Sequence, residues 1–323
     1  MDRMRMTLMK YSTLLLLSLI FSIELSAQQD AQYTQYMYNT VSVNPAYAGS
    51  RGLMSITGLY RNQWLGLDGA PESQTLNVHT PLKRSKFGVG LSLINDRIGN
   101  GVNQQTWLDG VVSYTVQTSY EGKLSFGLKV GGSLLNIDFS RLNQYQDVEF
   151  TAADNIENKF SPNIGAGIYY HDRNYYVGLS VPNILQTEFF ADSNNSNTDV
   201  SSFVSKSRIN YYLIGGYVWE IDYNWKFKPA FLTKVTAGAP LQLDLSANFM
   251  FDDTFTMGLG YRLDSAITAL VGWQLNRSLN IGLAYDREIT RLGGTAFNSG
   301  SFEFFLRYEL SRNYSRVQTP RFF

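Results

Sequence analysis

From Leu241 to Phe251 the chain alternates between apolar and polar positions. Leu241, Leu243, Leu245, Ala247, Phe249 and Phe251 fall on one parity; Gln242, Asp244, Ser246 and Asn248 fall on the other. Asp252-Asp253 breaks the pattern, which restarts with Phe255, Met257, Leu259, Tyr261 and Leu263 against Thr256, Gly258, Gly260 and Arg262. Side chains of a strand point to opposite faces with a period of two, so this stretch reads as a hairpin with one apolar face and one polar or glycine-rich face. Its strands run to about ten residues, against about five or six in a typical soluble sheet. Strands that long with a polar reverse face suit a membrane barrel.

The same alternation recurs along the chain. Met54, Ile56, Gly58 and Tyr60 oppose Ser55, Thr57 and Arg61; Phe87, Val89, Leu91 and Leu93 oppose Gly88, Gly90 and Ser92; Leu124, Phe126, Leu128 and Val130 oppose Ser125, Gly127, Lys129 and Gly131. Phe302, Phe304, Leu306, Tyr308 and Leu310 close the series against Ser301, Glu303, Arg307 and Glu309. The expected fold is all-β: a transmembrane antiparallel β-barrel of about 14 strands, an even number as single-chain bacterial barrels require. The connections give an independent test, because such barrels put short turns on the periplasmic side and longer loops outside. Starting the first strand upward from the periplasm puts short turns at Lys83-Arg84-Ser85, Tyr120-Glu121-Gly122, His171-Asp172-Arg173, Asp222-Tyr223, Asp252-Asp253 and Asn276-Arg277. The longest connections, 138–160, 184–205 and 286–300, then all fall outside. A soluble β-sandwich or propeller also alternates, but with shorter strands, and a propeller would repeat a blade motif at a fixed period.

The two chain ends differ from the barrel region at 51–310. Arg3, Arg5 and Lys10 precede the apolar run from Leu14 to Ile23, and Ser26-Ala27 offers a small-residue cleavage site. This reads as a signal peptide over 1–27, since the run is shorter than the roughly 20 residues a membrane span needs. Residues 28–50 crowd Tyr33, Tyr36, Met37 and Tyr38 ahead of Asn44-Pro45. This aromatic density predicts an ordered N-terminal segment that caps or enters the barrel. Residues 311–323 read as a periplasmic C-terminal tail, because both ends of an even barrel emerge on that side.

Composition narrows the function. Lys plus Arg and Asp plus Glu each number 27, so net charge gives no reason to expect a nucleic-acid partner. The chain has no Cys, which leaves no disulfide framework, no thiolate ligand and no Cys nucleophile, and no lipidated Cys after the signal. Of two histidines, His171 falls in a predicted periplasmic turn as a solvated side chain, and His79 on a predicted lumen-facing parity. Neither shows a catalytic partner in sequence, so the chain reads as a non-enzyme with no cofactor. Asp138, Asp147, Glu149, Asp154 and Glu157 crowd one long loop without the spacing of a calcium-binding loop, and read as a solvated acidic stretch rather than a metal site. Gly88, Gly90, Gly258 and Gly260 are strand glycines, where a neighbouring side chain or a plug can come close. Lys226, Lys228 and Lys234 share an inner face, tuning ion selectivity or pairing with Asp244 of the next strand. Trp64, Trp107, Trp219, Trp225 and Trp273 fall near predicted strand ends, as aromatic girdles at the membrane interfaces require.

An ordered set of short motifs resembles one family over nearly the whole mature chain. They are Gln35-Tyr36-Met37-Tyr38-Asn39, Asn44 to Arg51, Arg61-Asn62-Gln63-Trp64, Asp68 to Thr75, Asn95-Asp96-Arg97-Ile98-Gly99, Lys123 to Leu128, Leu179-Ser180-Val181-Pro182-Asn183, Lys234 to Phe249 and Thr319 to Phe323. The chain resembles the PorP/SprF outer-membrane proteins associated with the type IX secretion system. The resemblance implies a bacterial outer-membrane location and a part in type IX secretion and, in gliding bacteria, in adhesin export. It implies two partners besides membrane lipids: the C-terminal domain of a secreted surface protein or adhesin, which such barrels receive and hold, and periplasmic secretion or peptidoglycan-binding components. On the residues themselves, Tyr145, Phe150, Phe189, Phe190 and Phe203 of the long external loops are candidate aromatic anchors for the passenger, or a lid folded over the barrel mouth. Arg316, Arg321, Phe322 and Phe323 of the tail are candidates for a periplasmic partner, the alternative being that the tail aromatics tuck into the barrel base. The competing function is a passive pore or small-molecule transporter, which requires an open lumen.

Overall fold

The computed structural model describes residues 33–142, 155–186, 188–189, 205–206, 208–290, 293, 295 and 298–310. The expected signal segment, the tail after Leu310 and much of the two longest loops lie outside the described residues.

Each predicted alternating stretch forms a strand. In chain order they are β1 (Met54–Asn62), β2 (Glu72–Pro81), β3 (Phe87–Ile98), β4 (Asn103–Gln117), β5 (Lys123–Ile137), β6 (Ile156–His171) and β7 (Tyr175–Val181). The short β8 (Glu188–Phe189) and β9 (Ser205–Lys206) pair only with each other, within an external loop. Then follow β10 (Asn210–Tyr217), β11 (Trp219–Glu220), β12 (Trp225–Thr236), β13 (Gln242–Phe251), β14 (Phe255–Arg262), β15 (Ala266–Gln274), β16 (Leu279–Glu288) and β17 (Ser301–Leu310). β10 and β11 both pair with β12 and are one barrel strand interrupted at Val218, whose N–H donates to the Asn174 carbonyl at 2.6 Å. Every neighbour is antiparallel, and β1–β17 and β10–β12 pairings close the sheet into a barrel of 14 strands. Closure pairs each of the 14 strands with a neighbour on both sides over at least part of its length, as a lipid environment demands because it offers the backbone no hydrogen bonds.

Side-chain alternation matches this geometry. Leu259 is 65% and Leu91 60% exposed on the outer face, whereas Asn248 and Ser125 on the inner face are fully buried. An apolar belt on the outside and polar groups within are what a bilayer-spanning barrel requires. No helix among the described residues is long and apolar enough to cross a membrane. The six expected short turns lie at one end and the three longest connections at the other, where the connections at 99–102, 237–241 and 263–265 are also short. At Asp252-Asp253 both residues have positive φ (50° and 51°), and the Thr254 N–H donates to the Phe251 carbonyl at 3.0 Å. This is a type I′ turn, whose twist matches the flanking strands. Trp273 and Trp219 are exposed near the short-turn end, and Trp225 packs on Phe251 at 4.8 Å, so these three form part of a girdle at that rim. Trp107 does not: it lies inside β4, facing the lumen, where the strand extends further than its alternation revealed.

Leu259 sits mid-strand on the lipid face. Leu259→Arg is expected to cost about 2–4 kcal/mol of folding free energy, read as a lower denaturant midpoint in liposomes. An unchanged midpoint would mean that this face does not contact hydrocarbon.

Residues 33–51 occupy the lumen. They contain a single helical turn, α1 (Thr40–Val43), and a 3-10 turn at Pro45–Tyr47. The Asn44 side chain accepts from the Ala46 N–H at 3.0 Å and caps the second turn, with Pro45 at its first position, where a missing N–H costs nothing. The buried apolar core lies at this plug rather than between layers of sheet. Tyr36, Met37, Tyr38, Val41, Ala46 and Tyr47 pack against Leu59, Val111, Tyr169, Tyr176, Ile214, Leu232 and Phe305 of the inner wall. These wall residues are apolar on the otherwise polar parity. Each violation of the alternation is a seat for the plug, and Tyr38 stacks on Phe305 with ring centroids 3.7 Å apart.

Candidate functional site: a plugged lumen with an extracellular vestibule

The plug is fixed to the wall along its whole length. On β2 the inward residues Thr75, Asn77 and His79 meet it in order: Thr75 donates to the Tyr33 hydroxyl at 3.0 Å, Asn77 bonds Asn39 and Ser42, and the Gly49 N–H donates to His79 Nδ1 at 3.1 Å. Ser113 and Ser180 donate to the carbonyls of Ala48 and Val43 at 2.6 and 2.8 Å. Two wall glycines make room. A Cβ on Gly127 would lie 2.1 Å from the Ala46 nitrogen, and one on Gly88 would lie 2.4 Å from the Ala48 oxygen. No side chain fits at either distance, so the expectation that strand glycines admit a plug holds at Gly88; Gly258 instead makes room for Asn248.

At the upper end of the plug lies a buried ionic cluster. Arg61 of β1 pairs with Asp286 of β16 at 2.8 Å and with Glu303 of β17 at 3.1 Å. The two oxygens of Glu303 also accept the backbone N–H groups of Thr34 and Gln35 at 2.9 and 2.7 Å, and the Thr34 hydroxyl donates to Asp286 at 2.5 Å. Arg262 pairs with Asp244 at 2.7 Å. At the lower end Arg51 pairs with Glu309, and Arg307 lies over the Tyr38 ring at 5.7 Å. Buried charges persist only when paired and hydrogen-bonded, and these pairs hold the plug at both ends.

Above the plug, on the side of the long loops, is a cavity of about 760 Å³. Its wall carries both signs of charge: Arg61, Arg97, Lys234 and Arg262 beside Glu72, Asp96, Asp264 and Glu288. It continues at Asp96, Lys234 and Gln242 into a crevice of about 70 Å³ between the plug's Tyr33 and Tyr36 and the wall's Trp107 and Tyr212. At the short-turn end the void beside Tyr38, Val41 and His79 measures about 10 Å³, room for about one water.

The vestibule rim is built around Trp64, in the loop between β1 and β2. Its φ is +49°, a left-handed conformation that is a genuine outlier for a bulky side chain. The surrounding bonds hold it there. The indole N–H donates to the Glu288 carboxylate, the Trp64 N–H donates to Ser301 Oγ at 3.2 Å, and Leu65 exchanges backbone bonds with Gly300 and Ser299 at 2.8 and 2.7 Å. Glu288 also accepts from Asn298 at 3.1 Å, so one carboxylate ties two external loops together. Strain held by its surroundings at a cavity mouth marks a candidate site.

The structure redraws several sequence expectations. His171 is not a solvated turn residue: it ends β6 facing inward, buried beside Tyr169 at 5.7 Å. Asp244 pairs with Arg262; Lys228 lies over the Tyr176 ring at 5.1 Å, Lys234 over Tyr212 at 5.9 Å, and Lys226 pairs with Asp253. Asp138 is a loop tie: the Ser140 hydroxyl, with Arg141 and Asn155, holds its carboxyl below the ordinary carboxylate range. Asp147, Glu149 and Asp154 lie outside the described residues. So do the proposed anchors Tyr145, Phe150, Phe190, Phe203, Arg316, Arg321, Phe322 and Phe323, while Phe189 pairs with Ser205 in the β8–β9 hairpin. Trp64, expected in a girdle, instead bonds Glu288 at the cavity mouth, a contact that the spacing of two residues 224 apart does not reveal.

Comparison with solved structures finds other barrels at low identity. The outer membrane protein Omp33 of Acinetobacter baumannii is 7% identical, covering 80% of this chain and 98% of its own, with a TM-score of 0.45. The Pseudomonas putida toluene transporter TodX is 10% identical, covering 87% and 94%, with a TM-score of 0.47. The KdgM porin is 12% identical, covering 80% and 99%, at 0.33. No curated protein matches the chain. The family model described as type IX secretion system membrane protein PorP/SprF matches residues 25–308, which takes in the plug and nearly all of the barrel. A closed barrel with a lipid-facing belt and this family match together put the protein in the outer membrane. The chain therefore belongs to the PorP/SprF family of type IX secretion system membrane proteins.

Proposed function

We propose that this barrel receives the C-terminal domain of a secreted surface protein at its extracellular vestibule, holds it at the cell surface, and links it to periplasmic components of the secretion or gliding machinery. A one-sided lumen supports this reading. Among the described residues the plug packs against the wall toward the short-turn end, where the void beside Tyr38 and His79 is about 10 Å³, while the cavity of about 760 Å³ is lined by residues at the long-loop end. A conducting pore needs continuity between the two sides, whereas a docking barrel needs a socket on one. Trp64 suits the role of anchor, since preorganised Trp and Arg side chains at a cavity mouth commonly dominate binding energy. In this reading Tyr145, Phe150, Phe189, Phe190 and Phe203 extend the docking surface, and Arg316, Arg321, Phe322 and Phe323 engage the periplasmic partner.

The test is co-purification from native membranes together with planar-bilayer recording. The wild-type protein is expected to bring down a large exported protein and to show no single-channel steps. Trp64→Ala is expected to lower recovery of that protein at least about tenfold, as loss of a hot spot does, with the heat-modifiable gel mobility of the barrel unchanged. Stable conductance by the wild type with no co-purified exported protein would replace this reading with that of a passive pore.

A further inference from the structure

We infer that the base of the plug binds one halide ion, chloride in ordinary media, between Arg307 of β17, Ser55 of β1 and Asn39 of the plug. Strand register builds the place. Ser55 sits opposite Glu309 on one side and His79 on the other; Thr57, two positions on, sits opposite Arg307 and Asn77. All of these except Glu309 border the void of about 10 Å³, with Tyr38, Asn39 and Arg51 of the plug across it.

The charges there do not balance. Arg51 and Arg307 both approach one carboxylate oxygen, Glu309 Oε1, Arg51 in direct contact and Arg307 at 3.3 Å. His79 accepts the Gly49 N–H at Nδ1, so that nitrogen carries no proton and the ring is neutral. Two guanidiniums against one carboxylate leave a surplus positive charge where Arg307 is only 4% exposed. Such a charge is costly unless an anion stands beside it, and a guanidinium does not shed it by losing a proton.

The hydrogen-bond donors point the same way. Ser55 Oγ, Asn39 Nδ2 and Arg307 Nε are buried and hydrogen-bonded to no protein group among the described residues. The Asn39 oxygen accepts from Ser42 at 2.9 Å and from Asn77, which leaves its nitrogen to donate. Three donors from three segments therefore border a space for one particle about the size of water. Asn77 Oδ1, an acceptor, is likewise without a protein partner and would suit water; the surplus charge is what selects an anion. Phosphate, sulfate and carboxylates exceed the space. A halide seated there ties the plug to β1 and β17, just where the chain leaves the plug to enter the barrel.

Thermal unfolding of the purified full-length barrel, followed by heat-modifiable mobility, tests the site when sodium chloride replaces sodium gluconate at constant ionic strength. Chloride is expected to raise the midpoint by at least about 2 °C, rising with concentration as a ligand of the folded state does. Arg307→Met, which removes the surplus charge, should abolish that rise. Ser55→Ala, which keeps the charge and removes one donor, should need about tenfold more chloride for the same rise. Equal wild-type midpoints in the two salts would mean that the void takes water only and would overturn the inference. A chloride response undiminished in Arg307→Met would overturn it too, by placing the ion elsewhere. Should Arg307→Met not fold, Ser55→Ala decides alone: an unchanged chloride requirement would sink the site. None of these readouts depends on whether a passenger docks.

Discussion

Gly127→Val is expected to expel the plug. The new Cβ would lie 2.1 Å from the Ala46 nitrogen and 2.4 Å from its Cα, both backbone atoms, so no rotamer change relieves the clash. Overpacking a tight site typically costs about 1–3 kcal/mol even where neighbours can shift. Here the neighbour is a capped turn, wedged among β4, β5 and β6. The β5–β6 ladder itself loses nothing, since valine suits a strand better than glycine. The barrel should therefore still assemble, with its plug undocked and its lumen continuous. Planar-bilayer recordings would show the outcome directly: conductance steps for the variant where the wild type is silent. Gly58→Ala is the control, because a Cβ there meets nothing within 4 Å. It should leave the barrel silent and add up to about 0.5–1 kcal/mol by stiffening the unfolded chain. A silent Gly127→Val barrel of normal stability would mean that residues 44–48 do not sit against β5.

Arg61→Met should produce the largest single loss of stability in the lumen. It leaves Asp286 and Glu303 buried side by side, with Arg262 Nη1 3.8 Å from Asp286 as the remaining cation. Removing one partner from a buried ion pair costs about 3–5 kcal/mol, because the charge left behind is neither solvated nor paired. The plug loosens as well, since the Arg61 guanidinium also donates to the Thr34 hydroxyl at 2.7 Å. Glu303→Gln should be milder. It keeps volume and an acceptor, but a single amide oxygen would face the donors of Thr34, Gln35 and Arg61 that two carboxylate oxygens now share. The surface pair of Lys226 and Asp253 sets the scale: Lys226→Met should change stability by less than about 1 kcal/mol. Equilibrium unfolding in liposomes ranks the three, and an Arg61→Met loss no larger than that of Lys226→Met would rule out the cluster as a clamp.

The strand series and the sidedness of the longest loops were legible in the sequence, because they depend on local pattern. A period of two over ten residues, with one face in lipid, leaves a strand a single register that does not bury charge in hydrocarbon or expose leucines to the lumen. The aromatic crowding of residues 33–38 likewise pointed to an ordered segment capping or entering the barrel. What the pattern could not reach was every feature that depends on the opposite wall or on the plug. Phe305 and Ile214 face inward against the alternation, because Tyr38 and its neighbours replace water there. His171 looked like a turn residue, yet the last pair of the β5–β6 ladder points it into the lumen. Asp244 had lysines within reach along its own strand pair, but Arg262 offers it a geometry that strand order alone does not rank. Trp64 and Glu288 meet only because the barrel closes and brings the first and last hairpins together. Local alternation is decided by the solvent on each face of a strand, which one sequence records. Contacts across a lumen are decided by closure and by which segment fills it, and only the folded chain holds that information.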